Sequence, residues 1–516
     1  MIIDNGRTGM DNIQNAYEHI ENVVGTKYVT NSRPVCYSYS MNCDAVLQGI
    51  PDIVVRPGSA EEVAKILKIA NAERVAVVPR GGGADLTGGS KPIGDGGIVL
   101  DLTRMNHVLD VDEILQVVTV EAGISWSELC EYLRHVGPGY YTGSTGPASG
   151  FSATVGGGLS NNSVGGGGAA MYGNVTEQCV GLEVVLPTGE IIFTGAKANS
   201  FCDVPFTRFG LGPDYSGLFL GDVGIHGVKT KASLRLYPIP EYAAYATYEI
   251  SGTEMDPEPV QAARVMARWQ QERLPLHDFF YYTQGYVRLL TMFQVKKNLA
   301  RAGVQGSVLF YTTVARTSAE LDANVARIET VARDASLKRL GDTVEEGNLG
   351  KWFYEEDGRW QWAHIYWGMF GPEGTSLGTC LKCPTLKLPD YVKLYEDWGA
   401  RNAKKLAEIG GGGANFIAFG VNPSYIDVTG GIAIHADPEH RALQRELWTD
   451  LITSQVRIGG IHYWMGEIIG RALVDAGALS KEYYNFMVSV KRALDPNKIL
   501  SPGKFYLDDH YAGAIE

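Results

Sequence analysis

The segment PRGGGADLTGGSKP, Pro79 to Pro92, places five glycines and few bulky side chains directly after the apolar run VAVV. Such a loop can turn successive backbone N–H groups onto a pyrophosphate without steric interference. It is not the dinucleotide-binding GxGxxG arrangement, because no helical periodicity follows it. Alone, it is equally an ordinary glycine turn. A second segment, GPASGFSATVGGGLSNNSVGGGGAAMYGN (Gly146 to Asn174), strings small residues together with hydroxyls and amides, a composition suited to lining a flat cofactor. A third, GPDYSGLFLGDVGIHGVKTKASLRLYP (Gly212 to Pro238), runs from a glycine-rich turn into an alternating strand. A fourth, RALDPNKILSPGKFY (Arg492 to Tyr506), brings Lys504 in after a Pro-Gly turn. Cys380 and Cys383 form a CxxC, but no second pair stands at zinc-ribbon spacing, so packing is the expected role rather than metal or redox chemistry.

The elements that must hold these loops can be read from periodicity. IVVRP is a short strand, and SAEEVAKILKIANAE has helical apolar spacing with Ser59 placed to cap it. VAVVPR and GGIVLDL are buried strands on either side of the glycine loop, giving β-α-β-loop-β over Ile53 to Asp110. From Leu115 the pattern is mostly β: LQVVTVEAG, a helix at SWSELCEYLRHV, a hairpin turning on Thr188-Gly189, and the strand VKTKASLRLYP. Pro238 and Pro240 mark a boundary. Beyond it, strands such as SVLFYTTVA and NFIAFGVN alternate with helices such as SAELDANVARIETVARDA and ELWTDLITSQVRI. The expected fold is α+β with two domains: 1–240 binding a cofactor through two α+β subdomains, 241–470 an antiparallel-sheet-plus-helices cap, and 471–516 returning to the first domain.

At 516 residues the chain is too long for one compact core. Its net charge of −13 argues against a nucleic-acid or membrane-surface binder, which needs basic patches. No run of about 18 apolar residues occurs, so no membrane span is expected. Met1 to Gln14 lacks the apolar stretch of a signal peptide. Seven scattered cysteines read as reduced, cytoplasmic usage.

The four glycine-containing segments, in this order and at these separations, resemble the PCMH-type FAD-binding domain of the vanillyl-alcohol oxidase/p-cresol methylhydroxylase flavoproteins. The resemblance covers Ile53 to Pro238 and Val488 to Phe505, and the middle more weakly. It implies that the loop of Arg80, Gly81, Gly82, Gly83, Ala84, Asp85, Thr87, Gly88 and Gly89 holds the FAD pyrophosphate. It places Ser149, Ser152, Thr154, Gly156 and Gly157 along the isoalloxazine and ribityl chain. Gly221, Gly224, Ile225 and Val228 would wrap the adenosine end, and Lys504 would sit near the flavin. Each single hydroxyl is otherwise a satisfied turn or cap.

Within that family the 2-hydroxy-acid branch carries a GHxGDGN segment and a GEHG that build a divalent-metal site. Here FIAFGVNPSYIDVTGG and GGIHYWMGE stand in their places, without the paired histidines, and CPTLKLP lacks that branch's arginine. No metal is expected. The phenol branch places a tyrosine before an arginine near the C-terminal helix. Tyr463 falls there, with Trp464 in the arginine's position. Tyr463 is therefore the leading candidate for proton handling, with His462 and Tyr425 behind it. The branch's acidic residue is missing around Ala148-Ser149, and its loop tyrosine is replaced by Thr87. The histidine that carries covalent FAD in some members aligns with Thr379 or Cys380, and PRGGGAD lacks the RxGGH histidine, so FAD should be non-covalent. Aromatics crowd HDFFYYTQGYV and GKWFYEEDGRWQWAHIYWGMF. They read as core or as the wall of an aromatic-substrate pocket, with Arg359, His364, Trp362 and Tyr366 as candidate substrate contacts.

The expected activity is oxidation of the C–H of an uncharged aromatic or bulky alcohol by hydride transfer to flavin. The alternatives are a metal-independent 2-hydroxy-acid dehydrogenase, or a flavoprotein subunit passing electrons to a separate acceptor protein. No haem-attachment or ferredoxin-type cysteine run is present, so such a centre would lie on another chain. The family resemblance further suggests a homodimer.

Overall fold

Ser59 accepts a hydrogen bond from the Glu62 backbone N–H at 3.2 Å and starts the helix Ala60–Glu73, as its spacing predicts. That helix buries Val63, Ile66, Leu67 and Ala70 and ends at Arg74 in the left-handed conformation, φ 57°. It covers a sheet in which Ile53–Val55 and Val77–Arg80 flank Ile98–Asp101 in parallel, with Val29–Thr30 antiparallel at the edge. The three parallel strands are the expected ones; Val29–Thr30 is an addition. Parallel pairing explains why they read as continuous apolar runs: both faces are covered. The computed structural model that provides these coordinates describes residues 10–42, 46–147, 149–164, 167–289, 293–356, 374–411, 414–421, 424–435 and 437–507.

A second, antiparallel sheet runs in the order Val108–Asp112, Val117–Glu121, Val228–Arg235, Cys179–Val185, Ile191–Phe193. The expected hairpin is present, with Val185 opposite Ile191. The helix Trp126–Arg134 begins in a capping box between Ser125 and Glu128, and its Trp126 is fully buried among the sheet's apolar side chains.

Tyr242 opens a third sheet of eight antiparallel strands. Its order is Lys338–Arg339, Tyr242–Ile250, Ser307–Ala315, Leu276–Tyr282, Ala414–Val421, Tyr425–His435, Gly374–Cys383, Ile461–His462. Two of its central members, Tyr425–His435 and Gly374–Cys383, are not visible in the sequence pattern. Gly430 and Gly431 interrupt the first, and the second is rich in glycine and hydroxyl residues. Gly431 is required where it stands: its φ is +142°, and a Cβ there would overlap the Leu377 carbonyl of the neighbouring strand.

Alternation of side chains splits the sheet into two unlike faces. Phe279, Tyr281, Tyr311, Ala418, Val428 and Leu381 pack with Trp269, Tyr391, Trp398 and Trp448 of the covering helices. Phe280, Tyr282, Phe310, Ile417, Phe419, Cys380 and Tyr463 form the other face, which packs with Val164 and Ala169 of the glycine-rich second segment. The aromatic run HDFFYYTQGYV therefore serves both readings, Tyr281 in the helix-side core and Tyr282 and Tyr286 on the side toward that segment.

The chain's end returns to the first sheet. Leu500 bridges Val77, and Lys491 donates to the carbonyls of Ile225 and Leu500 and to Asp495.

Candidate functional site

The strand Val77–Arg80 and its exit loop are where the four glycine-containing segments converge. A Cβ on Gly81 would overlap the Thr154 hydroxyl, and one on Gly82 would overlap the Ser152 carbonyl, so only glycine lets the first two segments meet. Ser149 turns that second segment by accepting from the N–H groups of Ser152 and Ala153, and Thr154 caps the next turn on Gly157 N–H at 3.2 Å. Gly156 packs against Ala122. From the third segment, Gly221 N–H donates to Leu159 and Gly224 lies against Pro79. Val223 between them holds φ 43°, a strained angle for a β-branched residue. Asp222 fixes that turn, accepting from Gly224 N–H and pairing with buried Lys229 at 2.7 Å. Ile225 receives Lys491, and Val228 starts the strand that joins the two smaller sheets' cores.

Several of the loop's polar side chains are engaged in holding the loop itself. Asp85 accepts from Gly89 N–H and Asn42 at 2.6 Å each, and from Ser90. Arg80 donates to the carbonyls of Ser90 and Met41 and lies over the Tyr39 ring. Lys504 is buried beneath the loop and donates to the carbonyls of Gly88 and Lys91. Two buried hydroxyls here have no hydrogen-bond partner among the described residues, Thr87 Oγ1 and Ser144 Oγ. Leaving such groups unpaired costs about 1–3 kcal/mol each. Glycine-rich backbone beside two unpaired hydroxyls fits a ligand that brings its own oxygens. On the resemblance, Arg80–Gly89, Ser149–Gly157 and Gly221–Val228 are the segments that would hold FAD.

Beside the loop, the cap supplies a polar island in an aromatic face. Gly378 meets Leu86 of the loop and Trp464, and Gly466 meets Thr87. In the register of the strand pair, Cys380 lies opposite Thr429 and Lys382 opposite Asp427. Tyr463 Oη is 2.6 Å from Cys380 Sγ, which is 3.1 Å from Asp427 Oδ1. Thr429 donates to the same Asp427 oxygen at 2.7 Å. Lys382 Nζ stands 4.9 Å from the Tyr463 ring centre and 5.6 Å from that of Tyr425. Burial pushes the Cys380 thiol well above its usual range, and Asp427 adds to it. Burial raises the Asp427 carboxyl to about 6, against the hydrogen bonds and the Lys382 charge that favour its ionised form. Lys382 is lowered by burial. Tyr425 is raised, again by burial first and then by Glu177.

Two of the three candidate catalytic residues, Tyr463 and Tyr425, thus flank one half-buried ammonium. His462 does not join them. It lies opposite Leu381, whose side chain faces the covering helices, and burial pushes it down to about 4. The candidate substrate contacts Arg359, Trp362, His364 and Tyr366 lie outside the described residues. Lys382, Asp427 and Thr429 escaped the sequence reading, and Cys380 was read there for packing. Their signal was the period-two strings Cys-x-Lys and Tyr-x-Asp-x-Thr, legible only once both segments are known to be strands.

Residues 51–195 match the family model described as FAD binding domain. The chain is 35% identical over 224 residues to glycolate oxidase subunit GlcD of Bacillus subtilis, covering 43% of this chain and 45% of that one. It is 34% identical over 234 residues to the mitochondrial D-lactate dehydrogenase [cytochrome] of Arabidopsis thaliana, covering 44% and 38%. The match spans less than half the length of these curated relatives. The whole fold is similar to 4-ethylphenol oxidase from Gulosibacter chungangensis, with a TM-score of 0.79 at 20% identity over 97% of this chain and 98% of that one. p-Cresol methylhydroxylase gives 0.76 at 17% over the same shares. The chain shares the fold of these two structures. Its cofactor is FAD. The expected two-domain PCMH-type fold is the one observed. Among the described residues no helix is long and apolar enough to cross a membrane.

Proposed function

We propose that this chain is an FAD-dependent oxidoreductase that oxidises the C–H of an uncharged aromatic or bulky alcohol. Bound FAD supplies the hydride acceptor. The observation that carries the reading is Tyr463, a buried hydroxyl set into an aromatic face beside the glycine loop. Phe280, Tyr282, Phe310 and Phe419 give that face its preference for apolar substrate, and Tyr463 hydrogen-bonds the reacting oxygen. FAD is held without a covalent bond, since no histidine occupies the two linkage positions.

A 2-hydroxy acid is the second reading. Lys382 favours it, as a half-buried cation on the same face able to receive a carboxylate. The relatives, one an oxidase subunit and one a D-lactate dehydrogenase [cytochrome], support a separate electron-acceptor protein. A cytoplasmic homodimer completes the proposal. An anaerobic panel of benzyl alcohol, cinnamyl alcohol, geraniol and D-lactate tests it. Bleaching of the flavin absorbance by an uncharged alcohol supports the first reading, bleaching by D-lactate alone supports the second, and no bleaching overturns both.

A further inference from the structure

Oxidising an alcohol to a carbonyl releases a hydride and a proton, and the sequence offers no carboxylate at the position where its relatives keep one. The strand register supplies one from elsewhere. We propose that Asp427 is the terminal proton acceptor of the site, reached from Tyr463 through the Cys380 thiol. This rests on the reading of Tyr463 given above.

The hydrogen bonds allow transfer in one direction, with Cys380 Sγ also 2.7 Å from Thr429 Oγ1. Thr429 donates to Asp427 Oδ1, and the Cys380 S–H donates to the same oxygen. Cys380 Sγ can then accept from Tyr463 O–H at 2.6 Å, and hydrogen bonding from Tyr463 also favours the ionised Asp427 carboxylate. In the step, the substrate C–H leaves as hydride to the flavin and its O–H proton passes to Tyr463. Tyr463 hands its own proton to Cys380, and Cys380 hands its proton to Asp427. The products are the carbonyl compound, reduced flavin and a neutral Asp427, with Tyr463 and Cys380 restored.

The surroundings suit this. Lys382, directly opposite, is the cation that holds Asp427 ionised before the step, against its burial. Tyr425 on the same strand and Cys383 on the neighbouring one also face Asp427 electrostatically, and both are pushed upward and stay neutral. Glu177 acts on Lys382 and Tyr425 from the first domain. On the other neighbouring strand Phe419 lies opposite Asp427 and does not titrate. A carboxyl near 6 is ionised at neutral pH and close enough in basicity to give the proton up again.

The test uses FAD-loaded protein and whichever panel alcohol bleaches the wild type fastest, in anaerobic stopped flow across pH. Asp427→Asn and Cys380→Ala should each lower the limiting reduction rate by about 10²–10⁴, with KM changed far less. The acid limb near pH 6 in the wild type should vanish in Asp427→Asn. Cys380→Ser, which still passes a proton, should recover most of what alanine loses. Infrared spectra of the FAD-free protein give a readout that needs no turnover. A protonated-carboxyl stretch titrating near 6 should be present in wild type and absent in Asp427→Asn. A wild type bleached by an alcohol, with an unchanged acid limb in Asp427→Asn or no such stretch, overturns the relay alone. A wild type bleached by no panel member overturns the reading of the site and the relay with it.

Discussion

Asp427→Asn should make the protein's stability less dependent on pH, and the size of the effect follows from burial. The folded carboxyl sits at about 6 against an ordinary value of 3.8. A group raised in the folded state contributes stability that is complete below its unfolded pKa and is lost as pH rises through its folded pKa. The full difference, 2.2 pH units between those two values, corresponds to about 3 kcal/mol. Roughly 1.4 kcal/mol of it is lost between about pH 5 and about pH 8, where the unfolded carboxyl is already ionised. Asparagine keeps the shape and an acceptor for Cys380 and Thr429 but never has to hold a charge. The stability of Asp427→Asn relative to wild type should therefore rise by roughly 1.4 kcal/mol across that interval. Urea unfolding of the FAD-free proteins, followed by tryptophan fluorescence at both pH values, measures it. Chains of this size need not unfold in one step, so the same transition is compared in both proteins. An equal gap at the two pH values would refute the burial argument.

Tyr463→Phe keeps the ring under Lys382 but removes the bond to Cys380, and should slow flavin reduction by about 10²–10⁴ while FAD content holds. A change of less than about threefold would make Tyr463 a pocket wall. Gly82→Ala drives a Cβ into the Ser152 carbonyl and should cost most of the bound flavin, read as the flavin-to-protein absorbance ratio; a normal ratio would show that the two segments can part. Acid precipitation should leave a colourless pellet and a yellow supernatant, since no histidine stands at the two linkage positions; colour kept in the pellet would identify a linkage. Chelation should leave turnover intact, since the paired histidines of the metal-dependent branch are missing from the sequence. Loss restored by one divalent metal would reverse that.

The sequence by itself determined the cofactor half. Its parallel strands are continuous apolar runs, its helices carry caps at Ser59 and Ser125, and its glycines stand where backbones must touch, at Gly81 and Gly82. Those are local signals, set by the φ/ψ and burial needs of single segments. The cap's chemistry was not local. Cys380 and Asp427 are 47 positions apart and Cys380 and Tyr463 are 83 apart, and nothing in either spacing joins them. The strands that carry the first two are broken by glycines and hydroxyl residues, so neither their type nor their pairing was visible. The same pairing sets the two cysteines of the CxxC, expected to pack, into two different cores. In a strand, residues three apart face opposite ways, so Cys380 turns toward Tyr463 while Cys383 packs under the covering helices. Alternation likewise parted His462 from its neighbour Tyr463. Which side chains meet in an antiparallel sheet depends on register, and register here was fixed by the whole eight-stranded assembly rather than by any one segment of it.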